Sequence, residues 1–156
     1  MMGGEIFVKL TYENMVTFMQ QYCRDYSQWC NDPEAISKLE QYYTSDFLTK
    51  AYMHLEGKPY PFVANLDQFK NFISKNHIDI LHEEKLFPME ILIDERKNKA
   101  IMLLRVTKTV KSSGEVFDFD AIAMYQLALD ESNTLKIKSL EIITDRPSTL
   151  TQWVKF

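Results

Sequence analysis

Residues 114–129 show the longest strand-like alternation of apolar and polar side chains in the chain. One face of this predicted strand is almost entirely apolar and carries Phe117, Phe119, Ala121, Ala123, Tyr125, Leu127 and Leu129. The opposite face carries Val116, Asp118, Asp120, Ile122, Met124 and Gln126. A strand of roughly fourteen residues is more than twice the usual length, so we expect it to bend and to pair within a wide curved sheet. Other elements must then cover its apolar face.

The N-terminal part of the chain instead repeats apolar residues every three or four positions. From about Thr11 the stripe comprises Met15, Phe18, Met19, Tyr22, Tyr26, Trp29 and Cys30. This spacing predicts an amphipathic helix that ends near residues 31–34, where Asp32 is the expected N-cap of a second helix and Pro33 its first residue. A shorter stripe in that second helix comprises Ile36, Leu39 and Tyr43.

The sequence of residues 44–61 predicts a short helical extension followed by a loop. Thr44 or Ser45 can cap one or two further turns. Those turns would hold Phe47, Leu48, Ala51 and Tyr52. The sequence from Gly57 to Pro61 contains two prolines and a glycine, which forbids continuation of a helix and predicts a loop.

A third helix and three more strands complete the predicted fold. Asn65 and Gln68 form a capping-box pattern at the start of a helix that runs to about Lys75. The strands lie at about 82–93, 99–110 and 135–144, with polar turns at 94–98, 112–114 and 130–133. Pro88 confines the first of these strands to an edge or a bulge, because proline has no backbone N–H. Helices followed by an antiparallel meander predict an α+β domain whose helices fill the concave side of one sheet.

The composition and net charge of the chain limit the classes of protein and of partner that fit it. The 156 residues, 46% hydrophobic and 26% charged, fit one globular domain over residues 1–156. The net charge of -4, with acids and bases interspersed, predicts no nucleic-acid partner. Neither a secretory signal nor a membrane span is expected, so we predict a soluble, cytoplasmic protein. Cys23 and Cys30 are too far apart along one helix for a disulfide and are expected to be buried thiols.

The order of these elements resembles the nuclear transport factor 2-like superfamily, and especially its SnoaL-like branch. The segments that carry the resemblance are Tyr42–Phe47, Asn65–Ile73, Phe119–Leu127 and Leu135–Asp145. It implies a cone-shaped, mostly antiparallel sheet with a pocket between the sheet and the first helix. Members of the superfamily include isomerases, polyketide cyclases, dehydratases and epoxide hydrolases, and also proteins that only bind ligands or dimerise. The fold therefore leaves the function open.

The resemblance also implies where catalytic groups would lie. The buried acid of the steroid isomerases would fall at Ala123, which cannot donate a proton, and Asp118 and Asp120 have the parity of the outer face. The isomerase general base would fall near His54, whose alternative role is that of an ordinary surface histidine. Glu141 would lie in the pocket if its strand turns that face inward. Leu140 and Ile142 form an equally good inward pair, so both orientations stay open.

Aromatic residues are the other expected components of the pocket. The predicted ligand-binding residues are Tyr22, Tyr26, Phe119, Ala123 and Tyr125, although each tyrosine also suits an ordinary core position. His77 and His82, near Glu83 and Glu84, fit no helical metal-ligand spacing, so we predict no metal and no cofactor.

Two functions therefore follow from the sequence. The first is a small-molecule-binding or scaffold protein with an apolar, aromatic-lined pocket and no defined reaction. The alternative is a cofactor-independent acid–base enzyme, either a lyase, an isomerase or a hydrolase, that uses His54 and Glu141 on an apolar substrate. A homodimer is expected in either case, because the outer face of the long strand would otherwise leave an apolar stripe in water. That stripe comprises Val116, Ile122, Met124 and Ala128.

Overall fold

A computed structural model describes the backbone of residues 10–55 and 58–144, with the side chains in these ranges except those of 53–55, 58–61 and 78–80. Helix α1 (Tyr12–Trp29) leads into a 3₁₀-helix (Ile36–Tyr42), strands β1 (Tyr43–Leu55) and β2 (Lys58–Asn65), helix α2 (Leu66–Ser74) and a π-helical turn (Lys75–Ile80). Strands β3 (Leu81–Asp94), β4 (Lys99–Val110), β5 (Val116–Leu129) and β6 (Leu135–Thr144) complete the described chain.

The six described strands form one sheet in the order β2-β1-β6-β5-β4-β3. Only the β1–β6 pairing among them is parallel, and all other neighbours are antiparallel. Four register shifts occur in three of the pairings, and such irregularities bend a sheet. The α+β class and the mostly antiparallel sheet predicted from the sequence are therefore confirmed.

The long strand β5 has the two faces that its alternation predicts. Its inward positions, Phe119, Ala121, Ala123, Tyr125 and Leu127, are all buried. Val116 and Ile122, of opposite parity, are 60% and 55% exposed. The strand lies between β4 and β6, so its inward side chains reach the middle of the core.

Two of the three predicted helix starts, near Thr11 and at Asn65, are confirmed. The Thr11 side chain accepts a hydrogen bond from the backbone N–H of Asn14 and so caps the N-terminus of α1, where the apolar stripe predicts the helix to begin. At α2, the Asn65 side chain accepts from the Gln68 N–H at 2.9 Å, and the Gln68 side chain accepts from the Asn65 N–H at 2.9 Å. The stripe of α1 packs on the sheet as predicted, and Met15, Met19 and Tyr22 are almost fully buried.

Three predictions on residues 31–61 are wrong. Asp32 does not cap a helix, because the 3₁₀-helix begins at Ile36 with Ala35 at its N-cap. Residues 43–55 form β1 instead of helical turns: Phe47 and Thr49 point inward while Leu48 is 55% exposed, which is a period of two. A short apolar run does not distinguish helix from strand, and pairing with β6 and β2 selects the strand. Of the predicted loop, Lys58–Pro61 belong to strand β2, and Gly57 lies outside the described residues. The prolines of β2 are tolerated because it is an edge strand.

Pro88 lies where its chemistry predicts, on the other edge strand, and a register shift follows it between Pro88 and Glu90. Upstream of the proline, α1 and the residues after it cover the free edge of β3. The Asn31 side chain donates to the Glu84 carbonyl at 2.8 Å and accepts from the Glu84 N–H at 2.7 Å. The Ser27 hydroxyl accepts from the Leu86 N–H at 2.9 Å. These side chains satisfy backbone groups that a neighbouring strand would otherwise pair.

Cys23 and Cys30 are buried free thiols, as the sequence predicts. Burial raises the pKa of Cys23 to about 12, which makes it an unreactive core residue. Within the described ranges, none of the helices has the length and apolar character required to cross a membrane.

Candidate functional site

A cavity of ≈ 110 Å³ lies between α1 and the inner face of the sheet. Its aromatic walls come from four elements and comprise Tyr22, Tyr26, Phe62, Phe69, Phe72, Phe119 and Tyr125. Phe62 and Phe72 close one side with ring centroids 4.6 Å apart. Walls of this kind with a small number of polar groups are typical of small-ligand sites.

A cluster of four polar side chains, which we call the Glu84 cluster, occupies one end of the cavity. It consists of Glu84, His77, Lys108 and Tyr26. The Tyr26 hydroxyl donates to Glu84 Oε1 at 2.8 Å, and His77 Nε2 lies 3.1 Å from the same oxygen. The Lys108 ammonium lies 2.9 Å from Glu84 Oε2. The Glu84 carboxylate is thus surrounded by three donors in a buried setting.

Two strands and a bulge bring the charged pair together. Glu84 and Lys108 are directly opposite in the β3–β4 register, which places their side chains on the same face. The register shift between Leu81 and Glu83 adds one residue to β3, so Glu84 points inward while Glu83 is half-buried. His77 reaches the cluster from the π-helical turn, and Tyr26 from the last turns of α1. The Asn31 contacts described above hold the Glu84 backbone in place.

Burial and neighbouring charges determine the ionisation of the cluster. Burial alone would raise the pKa of Glu84, but the Lys108 ammonium and the His77 ring hold that pKa well below its ordinary value. Burial raises the pKa of Tyr26 well above its ordinary value, and the negative charge of Glu84 raises it further. Near neutral pH the cluster therefore holds an ionised carboxylate and a protonated phenol.

Two polar atoms in the cavity walls are buried and have no hydrogen-bond partner in the described part of the chain. They are His77 Nδ1 and Thr144 Oγ1. Tyr22, by contrast, shares a hydrogen bond of 2.7 Å with the Tyr43 hydroxyl. Buried polar atoms without partners are rare in proteins, and a bound ligand is one explanation for them.

The predicted ligand-binding residues are only partly brought together. Tyr22, Tyr26, Phe119 and Tyr125 contribute to the cavity walls. Ala123 is fully buried on the same face of β5 but does not line the cavity.

The predicted catalytic pair does not meet at this cavity. Glu141 is exposed on the outer face of β6, and Ile142 lines the cavity in its place. Of the two orientations left open by the sequence, the pocket orientation of Glu141 is therefore wrong, because Leu140 and Ile142 take the inner face. The side chain of His54 lies outside the described residues, and its backbone belongs to β1, opposite Pro59.

The sequence analysis did not predict the Glu84 cluster, although the position of one member, Lys108, indicates a buried charge. Lys108 interrupts the inward face of β4 formed by Ala100, Met102, Leu104, Val106 and Val110, and it has the same parity. A lysine at an inward position requires a buried partner of opposite charge. The sequence does not identify the partner of Lys108, because the two register shifts in β3 determine which glutamate of that strand lies opposite Lys108.

Three potential metal ligands meet at the same place. Single ligand atoms of Cys30, His77 and Glu84 all lie within 4.8 Å of one another. Lys108 already supplies the positive charge beside Glu84, however, and burial together with Glu84 raises the pKa of the Cys30 thiol, which disfavours the thiolate that binds metals. The residues do not fit a metal well, and the absence of one stays a prediction.

Comparisons with known proteins bear on the fold. No protein-family model and no curated protein sequence matches the chain. Solved structures do match: the pinacolase BvnE from Penicillium brevicompactum aligns with a TM-score of 0.68 at 15% identity, covering 96% of this chain and 94% of that one.

Two further structures carry the name of the fold. An NTF2-like protein of unknown function from Exiguobacterium sp. 255-15 aligns with a TM-score of 0.59 at 17% identity, covering 83% of this chain and 98% of that chain. A putative SnoaL-like polyketide cyclase from Jannaschia sp. CCS1 aligns with a TM-score of 0.61 at 11% identity, covering 91% and 92%. The chain therefore has the fold of the nuclear transport factor 2-like superfamily. At these identities the similarity defines the fold and not the reaction.

Proposed function

We propose that this protein binds a small, mainly apolar molecule in the cavity between α1 and the sheet. The observation that carries the proposal is the combination of aromatic walls with the Glu84 cluster at one end. Such a site favours a ligand with an apolar body and one or two polar atoms, because the walls exclude water from the body and the cluster orients the polar end.

A neutral bicyclic probe, 2-naphthamide, tests this proposal by fluorescence titration. Ala51 lines the cavity, so Ala51→Phe fills it and is expected to weaken binding at least about tenfold. Leu48→Phe is the matched control, since Leu48 lies on the same strand but points outward. The proposal fails if the wild-type protein does not bind the probe, or if the two variants bind it equally well.

A second candidate is a cofactor-independent acid–base enzyme, and the buried His77–Glu84 pair specifically favours it. When His77 Nε2 donates its proton to Glu84, the lone pair of Nδ1 is able to accept a proton from a bound molecule. Proteins with similar structures include a pinacolase and a polyketide cyclase by name. In this candidate His77 and Glu84 take the roles that the sequence assigned to His54 and Glu141.

The test of the enzyme candidate is hydrogen exchange at carbon. A base at the cavity wall is expected to remove an α-proton from 2-tetralone, a bicyclic ketone, and to return a deuteron in D₂O. NMR measures the exchange, and His77→Gln should abolish the acceleration while 2-naphthamide still binds. If exchange is no faster than in buffer, the enzyme candidate is refuted and only the binding function remains.

We also propose that the protein is a homodimer formed through the outer face of the sheet. Cross-strand neighbours place five apolar side chains in two adjacent rows there: Ile101, Leu103, Ile122, Met124 and Ile143. Apolar patches of this kind favour a two-fold interface. Ile122→Glu should convert a dimer into a monomer of 18.4 kDa in analytical ultracentrifugation, and a monomeric wild type at tens of micromolar contradicts the proposal.

The buried free thiols support our further proposal of a cytoplasmic location.

A further inference from the structure

Two polar atoms of the cavity wall, His77 Nδ1 and Thr144 Oγ1, are available to hold a ligand. Both side chains line the cavity and are more than nine-tenths buried, with exposed fractions of 8% and 6%. Neither atom has a hydrogen-bond partner in the part of the chain that the structure covers. A buried polar atom without a partner costs free energy, so a molecule that bonds it inside the cavity removes that cost.

The sheet places these two atoms far apart. Thr144 ends β6 and pairs with Ala121 of β5. His77 contacts Glu84 of β3, and strands β5 and β4 lie between β6 and β3. Neighbouring strands are about 4.8 Å apart, so three intervals separate the β6 and β3 backbones by roughly 14 Å. A single polar atom of a ligand therefore does not bond both His77 and Thr144, whereas two polar atoms at opposite ends of a ring system can do so.

The bonding capacity of each atom restricts the polar groups of the ligand. His77 Nε2 lies 3.1 Å from a carboxylate oxygen of Glu84, which only accepts, so Nε2 carries a proton and Nδ1 is left for the ligand. A hydroxyl group matches Nδ1 whether that nitrogen accepts or donates, because a hydroxyl does both. The Thr144 hydroxyl also does both, so it bonds either a hydroxyl or a carbonyl oxygen.

The charged pair in the cavity does not require an ionic ligand. The Glu84 carboxylate and the Lys108 ammonium compensate each other at 2.9 Å. We propose that the cavity holds ring compounds with an apolar body, a hydroxyl group at one end that bonds His77, and a hydroxyl or carbonyl oxygen at the other end that bonds Thr144. This inference rests on the small-molecule binding proposed above and specifies its ligand class.

Dihydroxy and monohydroxy probes test the inference by fluorescence titration at pH 7. The diols are 2,7-dihydroxynaphthalene, 2,6-dihydroxynaphthalene and 4,4′-dihydroxybiphenyl, whose oxygen atoms are progressively further apart. Their controls, 2-naphthol and 4-hydroxybiphenyl, lack one hydroxyl group. One added hydrogen bond should make at least one diol bind about fivefold or more tightly than its control. If none of the diols exceeds its control, ordered water alone satisfies the two atoms and the inference is overturned.

Thr144→Val tests one end of the site, because valine keeps the size and branching of threonine and removes its hydroxyl. In the free protein this change should leave Tm unchanged or raise it, since the hydroxyl has no partner to lose. The affinity for the best diol should fall to that of its monohydroxy control, whose single hydroxyl still bonds His77. Thr107→Val is the matched control: Thr107 donates to Asp118 at 2.6 Å on the outer face of the sheet, and its replacement should change neither affinity.

His77→Gln tests the other end. Glutamine offers a donor in the place of Nε2 but has no counterpart of Nδ1, so the contact with Glu84 is kept and the ligand contact is removed. The diol and its monohydroxy control should again bind equally well, because only Thr144 is left to bond either of them. If His77→Gln fails to fold, the comparison of the probes and the Thr144→Val variant still decide the question.

The outcomes distinguish this inference from the proposed function. A lower Tm of Thr144→Val would show that the hydroxyl already has a partner within the protein, which overturns the inference. Binding of 2-naphthamide without an advantage for any diol also overturns it and leaves the binding function standing. If neither 2-naphthamide nor any of the hydroxylated probes binds, the proposed function itself is wrong.

Discussion

Replacement of Lys108 by methionine tests how much the buried Glu84–Lys108 ion pair contributes to the free energy of unfolding. Methionine keeps most of the length and the apolar stem of lysine but removes the charge opposite Glu84, whose side chain is only 5% exposed. Breaking one half of a buried ion pair costs about 3–5 kcal/mol, because the remaining charge stays buried. For a chain of this size each kcal/mol shifts Tm by about 2–4 °C, so we expect a fall of about 6–20 °C at pH 7.

Denaturation in urea and by heat measures this loss, with Arg105→Met as the matched control. Arg105 pairs with Asp120 at 2.7 Å, but both side chains are about half exposed, and such pairs contribute at most about 1 kcal/mol. The double variant Lys108→Met/Glu84→Gln should recover much of the loss, since it leaves no unpaired charge. Equal effects of Lys108→Met and Arg105→Met would refute the argument that burial makes the Glu84–Lys108 pair important.

Three further predictions concern the same core. Since the pKa of Glu84 is held below its ordinary value, its ionised form stabilises the fold fully above about pH 5, and this stabilisation is lost as the pH falls below about 4. The denaturation midpoints of the wild type and of Glu84→Gln should therefore converge at low pH, and a difference that stays constant with pH would contradict the prediction. Tyr26→Phe removes a hydrogen bond to a charged acceptor and should cost about 1.5–3 kcal/mol in urea denaturation, while a loss below about 0.5 kcal/mol would show that the bond contributes little. Neither a chelator nor added Zn²⁺ should shift Tm, and a shift of several degrees with either would reveal a metal site.

Periodicity in the sequence predicts the parts of the fold in which one face is buried over many residues. Helix α1, the capped helix α2 and the alternation of β5 were all predicted correctly, because each repeats its pattern several times. Strand β1 was not, because the register shift between Tyr43 and Leu48 breaks the period of its apolar residues. Its identity as a strand comes from long-range pairing with β6, which local sequence does not specify.

The candidate site was harder to predict than the fold, for a related reason. Tyr22, Tyr26, Phe119 and Tyr125 line the cavity as expected, since large aromatic residues on inward faces leave few alternatives. The choice of Glu84 over Glu83 depends on a one-residue register shift, and a shift of one residue exchanges the faces of a strand.

The edges of the sheet restrict how this protein associates with itself. Along β3, Asn31 and Ser27 occupy the backbone groups of Glu84 and Leu86, and Pro88 offers no N–H at all. The opposite edge strand, β2, contains Pro59 and Pro61. Strand-by-strand addition of further copies, the route to open-ended fibrils, is therefore obstructed at both ends of the sheet. The homodimer that we propose uses the outer face of the sheet and neither of its edges, and a two-fold contact of this kind closes after two copies, so its formation does not require an edge that could continue into a fibril.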